Sequence, residues 1–336
     1  MNNIVYVNID NLKKNINLIK RKTNKEIISV IKSNAYGLGA KYIYNYLKEI
    51  GVNFFSLVDM EEFLEIKEII DKPVLIFNSC IKYIESPYIR YTINNIEDAL
   101  RYKNFNKKII VHLQVDTGMN RQGIRTIEEY LKILKILKSC QNIEIEGIYT
   151  HFSSDYLENS YYELQSSKFL DYLKYYDYKI IHTAASNSLN KHIIGNYVRI
   201  GISMYGLCRS LHLLPVICLK TTVINTFFAG KGIKIGYSME ELKEEGFINI
   251  IPLGYNDCAD FYDILYKKGN TWYKTKIIGK SCMNHRFIYS KFDNLKNKRV
   301  YIKLDKHFLE KIDPYRFLVS LKNIKKIYFK TPIMYN

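Results

Sequence analysis

No two of the six cysteines are spaced as Cys-x-x-Cys, and six thiols in 336 residues are too sparse for a disulfide scaffold. Cys80, Cys140, Cys208, Cys218, Cys258 and Cys282 are therefore expected as free thiols in a reducing compartment, with no disulfide frame and no metal site. Long apolar runs are missing too. None reaches the ~18 residues of a membrane span. Residues Met1–Asn8 carry no basic region followed by an apolar core, so the reading is a cytoplasmic protein with no membrane partner. Acidic residues are in deficit, 33 Asp and Glu against 50 Lys and Arg, for a formal net charge of +17. Such an excess invites nucleic acid as a partner. The lysines, however, are scattered over helix faces, and the densest runs, such as Lys322-Asn323-Ile324-Lys325-Lys326, are short. The charge reads as a solvated surface, and no nucleic-acid partner is expected. Internal repeats, low-complexity linkers and coiled-coil heptads are also lacking.

What is present is alternation. Asp10 is a candidate N-cap for a helix with Leu12, Ile16 and Ile19 on one face. Strand-like runs follow at 27–31, 54–58, 74–77, 91–93, 109–115, 145–149, 180–182 and 197–199, with helical patterns such as 60–70 and 127–137 between them. Eight strands alternating with helices predict a (β/α)8 TIM barrel over 1–215. Beyond about Tyr205 the helices thin out. Runs at 216–228, 246–251, 272–278, 287–289, 300–304 and 324–329 predict a mainly antiparallel β domain over 216–336, with which the first few residues of the chain are able to pair. Gly230-Lys231-Gly232 and Lys268-Gly269-Asn270 read as hairpin connections.

Barrel function gathers at the C-terminal ends of strands. Those ends carry Lys32, Asp116, His151, Ser186 and Arg199. Lys32 closes the buried run Ile27-Ile28-Ser29-Val30-Ile31. Desolvation there disfavours an ammonium and frees an amine nucleophile; the alternative is a lysine that caps a strand at the surface. His151 is open to reading as a core histidine, Asp116 as an Asx turn, and Arg199 as half of a structural ion pair.

Val30-Ile31-Lys32-Ser33-Asn34-Ala35-Tyr36-Gly37 resembles the cofactor-lysine signature of the alanine racemase family, pyridoxal-phosphate enzymes of fold type III. Asp116-Thr117-Gly118-Met119-Asn120-Arg121-Gln122-Gly123, Gly147–Phe152, Val198–Gly206, Ile235-Gly236-Tyr237, Gly254-Tyr255-Asn256-Asp257 and Cys282-Met283 follow in the same order. The resemblance implies an isomerase that interconverts L- and D-alanine and supplies D-alanine for peptidoglycan. Lys32 would form a Schiff base with pyridoxal 5'-phosphate and act as one base, and Tyr237 of the partner subunit would act as the other. Arg199 would face the pyridine nitrogen. Tyr36, Ser186, Gly201, Ile202 and Tyr328 would bind the phosphate, and His151 would supply positive charge beside the cofactor that lowers the tyrosine's proton affinity. Arg121 would orient the substrate carboxylate, with Tyr255 and Met283 narrowing the pocket toward alanine, and serine as the next substrate. The implied assembly is a head-to-tail homodimer. A racemase for serine or a longer amino acid, and a cofactor-carrying regulatory barrel, are the competing readings.

The chain departs from the family's pattern at several places. Gln114 stands where a carbamylated Lys is common, leaving its amide or a bound anion to support Arg121. Asn284 replaces an Asp, His285-Arg286 replaces Gln-Leu, Leu38 replaces a His, and Ala185 replaces an Asn.

Overall fold

The computed structural model describes residues 3–153, 159–208, 211–261, 263–304 and 312–330. After strand β1 (Ile4–Asn8) and the helix Ile9–Thr23, eight strands close into a parallel barrel: β2 (Glu26–Val30), β3 (Phe55–Leu57), β4 (Val74–Ile76), β5 (Ile89–Ile93), β6 (Ile109–Gln114), β7 (Ile143–Tyr149), β8 (Ile180–His182) and β9 (Tyr197–Ile200). Closure comes from β2 pairing with β9, where Ile28 lies opposite Arg199. Each strand lies within two residues of its predicted run. The (β/α)8 barrel followed by a mainly antiparallel domain is therefore the fold of this chain.

The barrel strands are short apolar runs buried on both faces, as a parallel sheet covered by helices requires. Ile28, Phe54, Leu75, Tyr149 and Ile180 form one buried cluster, with Phe77 and Tyr197 packed against it. Three of the helices between strands begin at side-chain caps. Asp59, Asn95 and Thr126 accept the backbone N–H of Glu62, Asp98 and Glu129, satisfying donors that a helix start leaves orphaned. In the first helix the cap lies earlier than expected. Asn8, at the end of β1, accepts from Asn11 N at 2.9 Å, and Asp10 lies inside the first turn. Its buried face does carry Leu12, Ile16 and Ile19.

The chain divides into two compact units, one running Ile16–Ala35 and Gly39–Ser203, the other taking Tyr36–Leu38, Met204 onward and the residues before Ile16. The second unit holds a nine-stranded sheet in the order β11-β14-β17-β16-β15-β18-β10-β1-β19. Its strands are β10 (Ile217–Thr222), β11 (Asn225–Ala229), β14 (Gly246–Ile251), β15 (Asp263–Lys268), β16 (Thr271–Ile278), β17 (Arg286–Ser290), β18 (Arg299–Lys303) and β19 (Lys325–Phe329), with β12 (Lys234–Ile235) and β13 (Glu240–Glu241) as a separate pair. All pairings are antiparallel except β1 with β19.

The continuous run 216–228 is two strands, because the chain changes partners at Val223-Ile224. Val223 N bonds to Lys298 O and Ile224 N to Ile250 O. Lys268-Gly269-Asn270 does connect a hairpin, β15 to β16, with Gly269 at φ +59°. Gly230-Lys231-Gly232 does not, since the strands on its two sides pair elsewhere. No helix among the described residues is long and apolar enough to cross a membrane.

Candidate active site

The barrel end of β2 sets the first element. Ile31 is buried, and its N–H bonds to Ser56 O at 3.0 Å. Lys32 follows, half-buried. The backbone then turns left-handed: Ser33, Asn34 and Ala35 sit at φ +53° and Tyr36 at +57°. Each such L-residue costs about 1–2 kcal/mol relative to a right-handed turn, so the segment stores strain that its surroundings must hold. Burial lowers the proton affinity of the Lys32 amine, Arg121 lowers it further, and Glu62 opposes both.

Arg199, in β9, is a buried cation with no carboxylate within ion-pair distance among the described residues. One terminal nitrogen donates to His182 O at 2.6 Å and His182 Nδ1 at 2.8 Å. The other donates to Thr150 O at 2.7 Å and Thr183 O at 3.1 Å. Burial draws its pKa down to about 10, so it stays charged at neutral pH. Its guanidinium lies 5.2 Å from the Tyr149 ring centre, and that ring stacks on His182 at 4.6 Å.

Behind Arg199 runs a chain of hydrogen bonds that the sequence did not disclose. His182 Nε2 meets His112 Nδ1 at 3.0 Å, His112 Nε2 meets Glu146 Oε2 at 3.0 Å, and Glu146 pairs with Arg90 at 3.0 Å. Because an arginine only donates, His182 Nδ1 must accept and its Nε2 carries the proton. That proton points at His112 Nδ1, so His112 carries its own on Nε2 and donates it to the carboxylate. One choice of tautomers satisfies every link. Burial keeps both imidazoles neutral. Burial alone would raise Glu146, but donors from His112 and Arg90 override it and hold its pKa at about 2. The available signal was polar residues at inward positions of β6, β7 and β8, a pattern that core packing alone does not call for.

Arg121 sits on the loop after β6. Asp116 Oδ1 accepts from Gly118 N and Asn120 N, both at 3.0 Å, so the Asx turn is real and shapes the loop that carries Arg121. Gly118 is required there: its φ is +137°, and a Cβ would lie 2.5 Å from the Tyr161 hydroxyl. Gln114 does not hold Arg121. Its amide oxygen accepts from Tyr149 OH at 2.7 Å and Gln122 Nε2 at 3.3 Å, and its amide nitrogen donates to Gln122 O. Gln122, the residue after the arginine, takes up the polar group left by the missing lysine.

His151 also differs from expectation. Burial, then Arg199, Arg121 and Lys32, push its pKa down to about 3, so it is a neutral imidazole and not a source of positive charge. The same relationships bring Lys32, Arg121, His151 and Arg199 into one electrostatic neighbourhood. At the ends of β8 and β9, the Ser186 hydroxyl receives Gly201 N at 3.1 Å and Ser203 N at 3.2 Å and meets the Ser203 hydroxyl at 2.9 Å. Ile202 starts the short helical turn that follows. Two backbone amides thus converge on the Ser186 hydroxyl oxygen and fix that side chain at the strand ends.

In the second unit, the Tyr36 ring packs edge-on against Tyr205 and tilted against Tyr315, and Tyr328 OH donates to Leu38 O. Tyr237, Tyr255 and Met283 are all exposed, at 79%, 58% and 56%. The loops of the last two are bonded together, Tyr255 N to Cys282 O and Asn256 N to Met283 O. A Cβ at Gly254 would meet Met283 O at 1.9 Å, so glycine is needed for that approach. Arg286, fully buried, spans both loops. It donates to Leu253 O, Cys258 O, Ala259 O and Asp260 on one side and to Ser281 Oγ on the other. Tyr237 follows the β12 strand. Its loop is tied to the stretch before Met283 by Lys280 N to Ser238 Oγ at 3.0 Å.

A closed barrel whose strand ends bring together an amine with a disfavoured ammonium, a buried arginine and a hydroxyl held by two backbone amides defines the site of a barrel enzyme. Residues 7–209 match the family model "Alanine racemase, N-terminal domain". The alanine racemase of Borreliella burgdorferi is 35% identical over 320 residues, covering 84% of this chain and 83% of that one. Among solved structures, alanine racemase from Bacillus anthracis with bound L-Ala-P superposes with a TM-score of 0.81 at 25% identity, over 98% of this chain and 95% of that one. Histidine racemase from Leuconostoc mesenteroides shares the fold, with a TM-score of 0.81 at 20% identity over 98% of each chain. The chain belongs to the alanine racemase family, whose members use pyridoxal phosphate.

Proposed function

We propose that this protein interconverts L- and D-alanine with pyridoxal 5'-phosphate, using Lys32 and the partner subunit's Tyr237 as the two bases of a head-to-tail homodimer. The observation that carries the reading is Lys32 itself, an amine at a strand end whose ammonium is disfavoured by burial and by Arg121. The donor set suits the cofactor. Arg199 is a buried cation with no carboxylate within ion-pair distance among the described residues, and the amides of Gly201 and Ser203 hold the Ser186 hydroxyl at the ends of β8 and β9. Lys32, Tyr36, His151, Ser186, Arg199, Gly201, Ile202 and Tyr328 are the residues assigned to hold it.

When bound, pyridoxal phosphate supplies an aldehyde that captures amines and a conjugated ring that draws electrons from the substrate Cα. Lys32, as free amine, accepts the α-proton from one face. Tyr237 delivers a proton to the other, and the roles reverse in the opposite direction. Arg199 keeps its proton and can only donate, so it would leave a cofactor nitrogen facing it unprotonated and would temper the electron withdrawal the cofactor supplies. Arg121 orients the substrate carboxylate. Tyr255 and Met283 are assigned to limiting side-chain size, which favours alanine over histidine or other large amino acids.

The test is absorbance and borohydride reduction of the holoenzyme. A visible band that reduction removes, with the label recovered on Lys32, is expected, together with racemisation of alanine faster than of serine or histidine. Lys32→Ala should lose band, label and activity. A band that persists in Lys32→Ala would overturn the assignment.

A further inference from the structure

We propose that Glu62 is a positioning residue for Lys32, its carboxylate clamping the left-handed turn that follows the lysine so that the amine is held in one place. The inference rests on the reading of Lys32 as the cofactor-binding base.

The segment to be held consists of Ser33, Asn34, Ala35 and Tyr36, four consecutive non-glycine residues with positive φ. Backbone in that region persists only where neighbours over-determine it. Part of the support is internal: Ala35 N bonds to Ile31 O at 2.8 Å, and Ala40 N bonds to the Asn34 side chain at 2.7 Å. These bonds shape the turn and tie it back to the end of its own strand, β2. Glu62 ties it to the adjoining one. One carboxylate oxygen accepts the N–H of Ser33, the first left-handed residue, and the other accepts Val58 N at 3.0 Å, just past the end of β3.

Lys32 is therefore bracketed. Ile31 N bonds to Ser56 O before it, and Ser33 N bonds to Glu62 after it, so both neighbours are tied to the same adjoining strand and its helix. Glu62 is itself fixed. It lies in the first turn of the Met60–Ile66 helix, where negative charge is favoured, and its N–H is held by the Asp59 cap at 3.0 Å. Charge supports the geometry, because Glu62 is the acidic group that acts on Lys32 against burial and Arg121.

The experiment compares wild type with Glu62→Ala and Glu62→Gln. Backbone hydrogen exchange is read first on the cofactor-free protein. In Glu62→Ala the amides of Ser33 and Val58 should exchange about tenfold faster or more, the scale of one lost hydrogen bond, while those of β6 keep their protection. Glu62→Gln, with one accepting oxygen left, should fall between. In the loaded enzyme, kcat for alanine should fall about tenfold in Glu62→Ala with little change in KM, since a misplaced base harms the transition state more than ground-state binding. Unchanged exchange at Ser33, a rise spread evenly over the barrel, or a KM effect without loss of kcat would overturn the clamp. Failure of wild-type Lys32 to take a borohydride label would overturn the cofactor reading instead, and the exchange measurement would still decide the clamp.

Discussion

His112, His151 and His182 are each kept neutral chiefly by burial; nearby cations or a neutral imidazole also oppose a second proton on His151 and His182, while at His112 burial outweighs the opposite pull of Glu146. In the unfolded chain all three return to about 6.5. Their folded values lie below that, so the unfolded state takes up protons that the folded state refuses, and stability is lost as pH falls below about 6.5. Between pH 7 and pH 5, His151, whose pKa is pushed down to about 3, contributes a loss of about 2 kcal/mol, and His112 and His182 act in the same direction. Urea unfolding of the cofactor-free protein across that range should show the midpoint dropping steeply with acid. Replacing His182 with a neutral residue should flatten the slope. A midpoint independent of pH would mean that these imidazoles bind protons in the fold, and the tautomer chain from Arg199 to Glu146 would then be wrong.

Among elements, the two loops at Leu253–Asp260 and Ser281–Met283 depend on one side chain. Arg286→Leu, which restores the residue type usual in the resembled family, strips a donor from three backbone carbonyls at once. It should cost about 3 kcal/mol or more, seen as a lowered unfolding temperature, and should raise KM for alanine as Tyr255 and Met283 lose their seating. An unchanged KM would separate Arg286 from the pocket. Elements were also where the sequence was most readable. Short β-branched runs alternating with amphipathic helices gave eight barrel strands to within two residues, because burial on both faces leaves a strong periodic mark. The run 216–228 concealed a change of partner, which periodicity does not record. The turn at Ser33–Tyr36 was hidden for a related reason. Of its residues only Asn34 favours a left-handed backbone, and one of the contacts on it, Ser33 N to Glu62, comes from a residue distant in sequence. Strand-end polar residues stood out singly as candidates, whereas His112, Glu146 and His182 occupy positions that read as core.

At the scale of the whole molecule, the proposed bases belong to different compact units of the chain, Lys32 to the barrel unit and Tyr237 to the sheet unit, where it is 79% exposed. The proposal has Tyr237 complete a site on another copy. A two-base mechanism shared between subunits makes a demand that a site within one chain does not. Lys32→Ala and Tyr237→Phe proteins should each be nearly inactive in alanine racemisation. After the two are mixed in equal amounts and allowed to exchange subunits, half of the dimers should be mixed. Each mixed dimer has one site with both bases intact, so activity should return to about a quarter of wild type. A mixture that exchanges subunits yet stays as inactive as its parents would contradict the shared two-base site.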